Sequence, residues 1–227
     1  MNSPLAGVAL DADALNSDAR ERALAAVSET SVEVAGLVSY SSAGRLLVIG
    51  DNTGQVQQAV REAAPLSTAA LIVGRGREQI PGLTTWWAER ESVQLEGWLG
   101  EFRLRLEYQG EGDARFDLVL DLTAPPFITT ELPPPGYLAP GADPTGLEPA
   151  LTELRDLVGE FEKPRYFGYD PGICAHGMKG ATACRRCIEA CPAGAITSLV
   201  DRVQVEVNLC QGGGACATAC PSGARGR

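Results

Sequence analysis

The sequence predicts an α+β protein: an N-terminal mixed α/β sheet module joined to a small C-terminal module organised by cysteine. Three observations predict this. All seven cysteines of the 227 residues lie between Cys174 and Cys220. The first 173 residues alternate short apolar runs with segments of helical period. Charge divides at the same place: residues 1–173 hold 26 acids and 13 bases, and residues 174–227 hold 3 acids and 6 bases, within an overall charge of −10. The expected domains are therefore 1–130, an α/β module of no assigned role, 131–173, a proline-rich connector and helix, and 174–227, the cysteine module.

Taken in order, Ser17 and Asp18 are placed to cap a helix running to about Glu29. Val32 to Tyr40 is rich in β-branched residues and precedes a turn at Ser41-Ser42-Ala43-Gly44. Arg45 to Gly50 reads as a strand. Asp51-Asn52-Thr53 then offers N-caps for a short helix with Val56, Val60 and Ala63 on one face, before a second strand at Ala69 to Val73. This strand–helix–strand unit implies parallel pairing. Val93–Trp98, Phe102–Tyr108 and Phe116–Leu122 follow as further strands, with Gly110-Glu111-Gly112-Asp113 as a hairpin turn. The expectation is one sheet of five or six strands with two helices. Glu131 to Pro144 holds five prolines and is expected to run as extended connector that ends the sheet. Leu147, Leu151, Leu154, Leu157 and Val158 then recur at helical spacing up to Gly159.

Composition narrows the function classes. A net negative chain does not bind a nucleic-acid backbone through bulk charge, so the expected partner is a protein with basic surface and not nucleic acid. No window approaches the roughly 18 apolar residues of a membrane span, and Met1 to Leu15 lacks a basic leader, so the chain reads as cytoplasmic. In that reducing compartment an odd set of seven thiols points to metal binding and not to disulfides.

The cysteines form an internal repeat. Ala181-x2-Cys184-x2-Cys187-x3-Cys191-Pro192 aligns with Cys210-x2-Gly213-x2-Cys216-x3-Cys220-Pro221. This resembles the bacterial dicluster ferredoxin run C-x2-C-x2-C-x3-C-P, with one cysteine missing from each copy. The resemblance covers the 47 residues from Cys174 to Cys220. It implies a ferredoxin-like iron–sulfur domain in which the last cysteine of each run ligates the cluster of the other. One site then uses Cys184, Cys187 and Cys220, and the other uses Cys191, Cys210 and Cys216. Ala195–Val200 and Val203–Asn208 are expected as the intervening β-hairpin.

The departures from that pattern shape the cofactor. Ala181 leaves a corner vacant in the first site, and Cys174, seven residues upstream on a glycine-containing loop, is the candidate to fill it. Gly213 leaves a corner in the second, with no spare cysteine. The expected cofactors are a [4Fe–4S] cluster and a second cluster that is either [3Fe–4S] or [4Fe–4S] with an open iron. Zinc is the competing reading, but zinc ribbons use paired C-x2-C knuckles, and Cys187-x3-Cys191-Pro and Cys216-x3-Cys220-Pro do not form such pairs. A radical-enzyme C-x3-C-x2-C fails because Gly194 and Gly223 stand at its third position.

Other candidates carry less. His176 is either a ligand, a hydrogen-bond donor to sulfide or a polar loop residue, and Arg185 and Arg186 are either a docking rim or solvated charge. Gly74-x-Gly76 is not a dinucleotide fingerprint, since Gln79 and Pro81 follow it. Trp86, Trp87 and Trp98 read as core or interface aromatics. Glu131–Tyr137, Gly159–Tyr169 and Cys174-Ala-His-Gly resemble longer proteobacterial iron–sulfur proteins associated with formate dehydrogenase. After the second Cys-Pro the residues Ser222-Gly-Ala-Arg225 replace the strand that ferredoxins have there, so the domain is either truncated or completed by a partner. The resemblance thus implies an electron carrier serving a redox partner protein. The alternatives are a sensor with a labile three-cysteine cluster and an enzyme with an open iron near Gly213.

Overall fold

The structure is a computed structural model that describes residues 14–29, 36–74, 79–107, 113–141, 143–176 and 184–225. It contains both helices and strands, as expected of an α+β chain, and divides into two compact units, residues 1–35 and 36–227. Both compositional boundaries, after 130 and after 173, lie inside the second unit. Among the described residues no helix is long and apolar enough to cross a membrane.

The first unit contributes α1 (Ala14–Glu29). It begins before the expected cap, so Ser17 and Asp18 lie within its first turns and Asp18 pairs with Arg22 at 3.4 Å. The second unit begins with β1 (Leu37–Ser42), β2 (Arg45–Gly50), α2 (Thr53–Glu62) and β3 (Ser67–Val73). The Asn52 side chain accepts from the Gln55 amide at 3.1 Å and caps α2 as expected. Strand β2 pairs in parallel with β3 and, on its other side, with β8 (Leu118–Asp121).

Near-continuous apolar runs bury this sheet on both faces, and the period of two divides their side chains between the two layers. Leu46, Val48, Ala70, Ile72, Leu118 and Leu120 pack against Val56 and Ala59 of α2 and Leu151 and Leu154 of α3 (Leu147–Asp156). Leu47, Ile49, Ala69, Leu71 and Val119 face Val93, Phe102, Leu104 and Phe116 instead. Those last residues belong to β5 (Val93–Glu96), β6 (Phe102–Leu106) and β7 (Ala114–Phe116), a separate antiparallel sheet. Each fully buried Leu or Ile in these layers stabilises the fold by roughly 1.5–3 kcal/mol.

The strands expected in a single sheet are thus divided among three, since β1 lies apart in a two-stranded sheet. The run Phe116–Leu122 divides at Asp117, whose carboxylate accepts from the Ala43 and Arg45 amides at 2.9 and 3.0 Å, so β7 joins one sheet and β8 the other. Trp86 and Trp87 form part of β4 (Thr85–Ala88), a parallel edge strand, with Trp86 edge-on to Phe116 at 5.9 Å. The hairpin expected at Gly110–Asp113 and the start of the strand expected from Val32 fall outside the described residues, apart from Asp113.

The proline-rich segment does not end the sheet. Its Tyr137-Leu138 pair forms β9, which extends β8 in parallel at the far edge. An edge position tolerates neighbouring prolines because only one side needs backbone donors. Tyr137 is held there by the fully buried Asp121, which also accepts from the Thr123 and Phe127 amides at 2.9 and 2.7 Å. Helix α3 ends at Asp156, and β10 (Gly159–Pro164) returns antiparallel to β1, with Tyr40 opposite Phe161 and Val38 opposite Lys163. This ribbon carries the chain to the cysteines.

Candidate functional site

The repeat read in the sequence is repeated in the backbone. Each position of the second copy lies 29 residues after its equivalent, as Cys220 does after Cys191. One-turn helices α4 (Arg186–Glu189) and α5 (Ala215–Thr218) contain the equivalent Cys187 and Cys216. The Ala190 and Ala219 amides close these turns on Arg186 and Ala215, both at 3.0 Å. Cys191 and Cys220 then donate to Ile188 and Ala217 at 3.4 and 3.3 Å, and Gly194 and Gly223 adopt left-handed φ of +60° and +70°.

The expected hairpin also forms, as β11 (Ile196–Ser198) against β12 (Val203–Val205). Its counterpart after the second run is a single antiparallel bridge between Arg225 and Tyr169. The equivalence extends to the hydrogen bonds: the Ala195 carbonyl accepts from Glu206 N–H at 2.8 Å, and the Ala224 carbonyl accepts from Asp170 N–H at 3.0 Å. Arg225 therefore occupies the place that the buried Ile196 holds in the first copy.

All seven cysteines are free thiols, and their neighbours sort them. Burial pushes the Cys187 thiol up, Arg225 draws it back, and the nearby Cys174 and Cys184 push it up further. Cys216 is likewise raised by burial, lowered by Arg225 and raised again by Cys191 and Cys210. Cys174 thus stands in the electrostatic neighbourhood of the first run. Cys174, Cys191 and Cys216 also pack on the small core of Cys187, Ile196 and Val203. Cys220 is engaged by its own loop. Burial raises its thiol, but hydrogen bonds from the Ser222 hydroxyl and from the backbone of Ser222, Arg225 and Ala224 outweigh this and bring it to about 7. Among the described residues no three His, Cys, Asp or Glu side chains converge as a preformed metal cage.

A small pocket of about 30 Å³ is lined by Cys191, Cys210 and Cys216, with Gly213 and Arg225 also on its wall. A Cβ built on Gly213 would meet only Pro192, at 3.9 Å, so the corner left by the missing cysteine has room among the described residues.

Set against known proteins, the chain matches no family model and no curated protein.

The surroundings hold both runs in place. Buried His176 bridges the first run to the hairpin: Nδ1 lies 2.7 Å from the Cys184 carbonyl, and Nε2 lies 2.9 Å from the Ser198 hydroxyl and 3.1 Å from the Leu199 carbonyl. Both ring nitrogens are thereby occupied, which favours a positioning role over ligation. From the ribbon, Tyr40 O–H donates to the Asn208 carbonyl at 2.6 Å and Lys163 Nζ donates to the Asn208 and Cys210 carbonyls at 2.8 and 2.7 Å. The Gln211 amide reaches back to the Pro133 carbonyl at 2.8 Å, and Leu132 N–H donates to the Pro192 carbonyl at 3.0 Å. Arg185 and Arg186 are exposed, and Arg185 pairs with Glu189 at 3.5 Å.

Arg225 is the residue sequence reasoning passed over. It is 4% exposed, and none of its guanidinium nitrogens meets the geometry of a hydrogen bond among the described residues, although it interacts with the Cys187 thiol. Its carbon lies over the Tyr169 ring, 4.6 Å from the centroid. A buried cation without an acceptor is strongly unfavourable unless an anion lies beside it. The available signal was a charge at the repeat position of an apolar residue. Cysteine thiols on a pocket wall and a buried guanidinium with no hydrogen-bond acceptor among the described residues are the donors and charge that a thiolate-ligated, anionic inorganic cofactor would need.

Proposed function

We propose that this chain is a ferredoxin-like iron–sulfur protein that passes single electrons to or from a partner oxidoreductase. The observation that carries the reading is the pocket walled by Cys191, Cys210 and Cys216, the set implied by the ferredoxin pattern for the second cluster. The matching helical turns and left-handed glycines of the two runs support a pair of sites.

Cys174, Cys184, Cys187 and Cys220 would hold a [4Fe–4S] cluster, and Cys191, Cys210 and Cys216 would hold a [3Fe–4S] or an open [4Fe–4S] cluster beside Gly213. Such clusters supply reversible one-electron chemistry. The chain's own residues keep the thiols in register: His176 ties the first run to the hairpin, and Lys163 with Tyr40 fixes the backbone entering Cys210. The acidity of residues 1–173 suits a partner with a basic docking face. The resemblance to formate dehydrogenase-associated proteins makes such an enzyme the first partner to try, in the reducing cytoplasm.

Anaerobic purification with iron and sulfide analysis and electron paramagnetic resonance tests the reading. The expected result is about seven or eight irons with matching acid-labile sulfide. Stoichiometric zinc without sulfide, or no metal after anaerobic reconstitution, overturns it.

A further inference from the structure

We propose that Arg225 is a counter-ion shared by both cysteine groups, and that its charge raises the reduction potential of each cofactor they hold. The inference rests on the two-cluster reading above. Arg225 lines the pocket of Cys191, Cys210 and Cys216, and its guanidinium stacks on the Tyr169 ring, which packs with Cys174 and Cys187 of the other group. Cysteines of both groups, Cys174 and Cys187 with Cys191 and Cys216, pack in that one small core beside Tyr169.

Three features set this side chain apart from the surface arginines. It is buried at 4% exposure, and its guanidinium nitrogens lack partners among the described residues. It is fastened from behind by the Tyr169 ring and by the backbone bridge to the same residue. It also replaces, in the repeat, the apolar Ile196 that faces the same core from the first copy. A hydrophobic residue there would satisfy packing alone. The guanidinium instead brings a permanent charge into a low-dielectric region, where it is balanced only by negative charge nearby.

The electrostatic consequence has a definite sign. Each cofactor accepts one electron from a reductant, supplied by the partner in function and by dithionite in the test, so one iron-borne charge is reduced by one and no covalent bond is made or broken. The reduced form carries one more negative charge than the oxidised form. A fixed cation stabilises it preferentially and moves the potential upward.

Redox titration of the anaerobically loaded full chain, monitored by electron paramagnetic resonance, is compared for wild type, Arg225→Met and Arg225→Lys. Arg225→Met is expected to lower the reduced-to-oxidised ratio of both clusters at least about threefold at fixed ambient potential, or roughly 28 mV at 59 mV per tenfold for one electron. Arg225→Lys is expected to remain within that margin of wild type. If Arg225→Met fails to load while Arg225→Lys loads, the need for charge is likewise supported. Unmoved potentials in a loaded Arg225→Met protein, a shift confined to one cluster, an equal shift in Arg225→Lys, or failure of both variants to load overturns the proposal and leaves Arg225 a packing residue. A wild-type chain without iron and sulfide overturns the two-cluster reading itself, which separates the two failures.

Discussion

Lys163 Nζ donates to the carbonyl oxygen of Cys210 at 2.7 Å. The donor belongs to the ribbon that extends the α/β layers, and the acceptor opens the second cysteine run. Burial holds the Lys163 pKa below its ordinary value, partly offset by Cys210 and Glu206, and its ammonium also lies 5.1 Å from the centre of the Tyr40 ring. The cysteine loops are thus fastened to the front layers by a charged hydrogen bond.

Lys163→Met removes both charged hydrogen bonds while keeping most of the apolar stem. A loss of about 1–3 kcal/mol is expected from urea unfolding, read as a lower midpoint at unchanged slope. Chelator should also extract iron faster from the Cys191, Cys210 and Cys216 group than from the other. Equal extraction rates in variant and wild type would show that this anchor is not needed by the loop.

The three glycines after Gln211 are not equivalent. Gly212 has φ +77°, and a Cβ there would lie 2.7–3.0 Å from the Tyr166 ring. Gly212→Ala is expected to destabilise by about 1–2 kcal/mol from the left-handed backbone alone, measurable by thermal or urea unfolding.

Gly213 stands at the repeat position of Cys184 and has open space in front of it. Gly213→Cys is expected to fold normally and to complete the second set of thiolates. About one additional iron per chain and loss of any [3Fe–4S] signal are the readouts; unchanged iron and spectra would show that position 213 does not face the cofactor.

Asp117 predicts a pH dependence in the front layers. Burial pushes its carboxyl up, but the Arg45 guanidinium and the Arg45 and Ala43 amides outweigh this and hold the pKa below the ordinary carboxylate value. The unfolded chain therefore binds the extra proton first. The contribution is fully present above the unfolded value near 3.8 and is lost as pH falls through the lower folded value. Asp117→Asn is expected to remove about 1–3 kcal/mol at pH 7 and to flatten the stability profile below pH 5. A variant that keeps the wild-type acid slope would assign that slope to other carboxylates.

Much of the fold was legible because it is written in near neighbours. Residues 45–50 and 69–73 carry the continuous apolar runs of buried parallel strands, and Asn52 stands where an N-cap is needed. The cysteine repeat announced the hairpin between its two runs, which formed over Ile196–Ser198 and Val203–Val205. Less legible was Phe116–Leu122, which reads as one strand until Asp117 turns inward to cap the Ala43–Arg45 backbone and sends the halves to different sheets.

The sequence by itself determined the α+β class, the strand–helix–strand unit and the grouping of cysteines in two runs, because each depends on periodicity or spacing within a few residues. Only the tertiary structure decided that Tyr137-Leu138 completes the sheet edge, that β10 returns to β1, that Lys163 grips Cys210 and that Arg225 is buried at the pocket of Cys191, Cys210 and Cys216. These outcomes depend on partners far away in the chain. An edge strand needs a neighbour with unpaired backbone groups, and an arginine reads as surface charge until the packing around it removes the water.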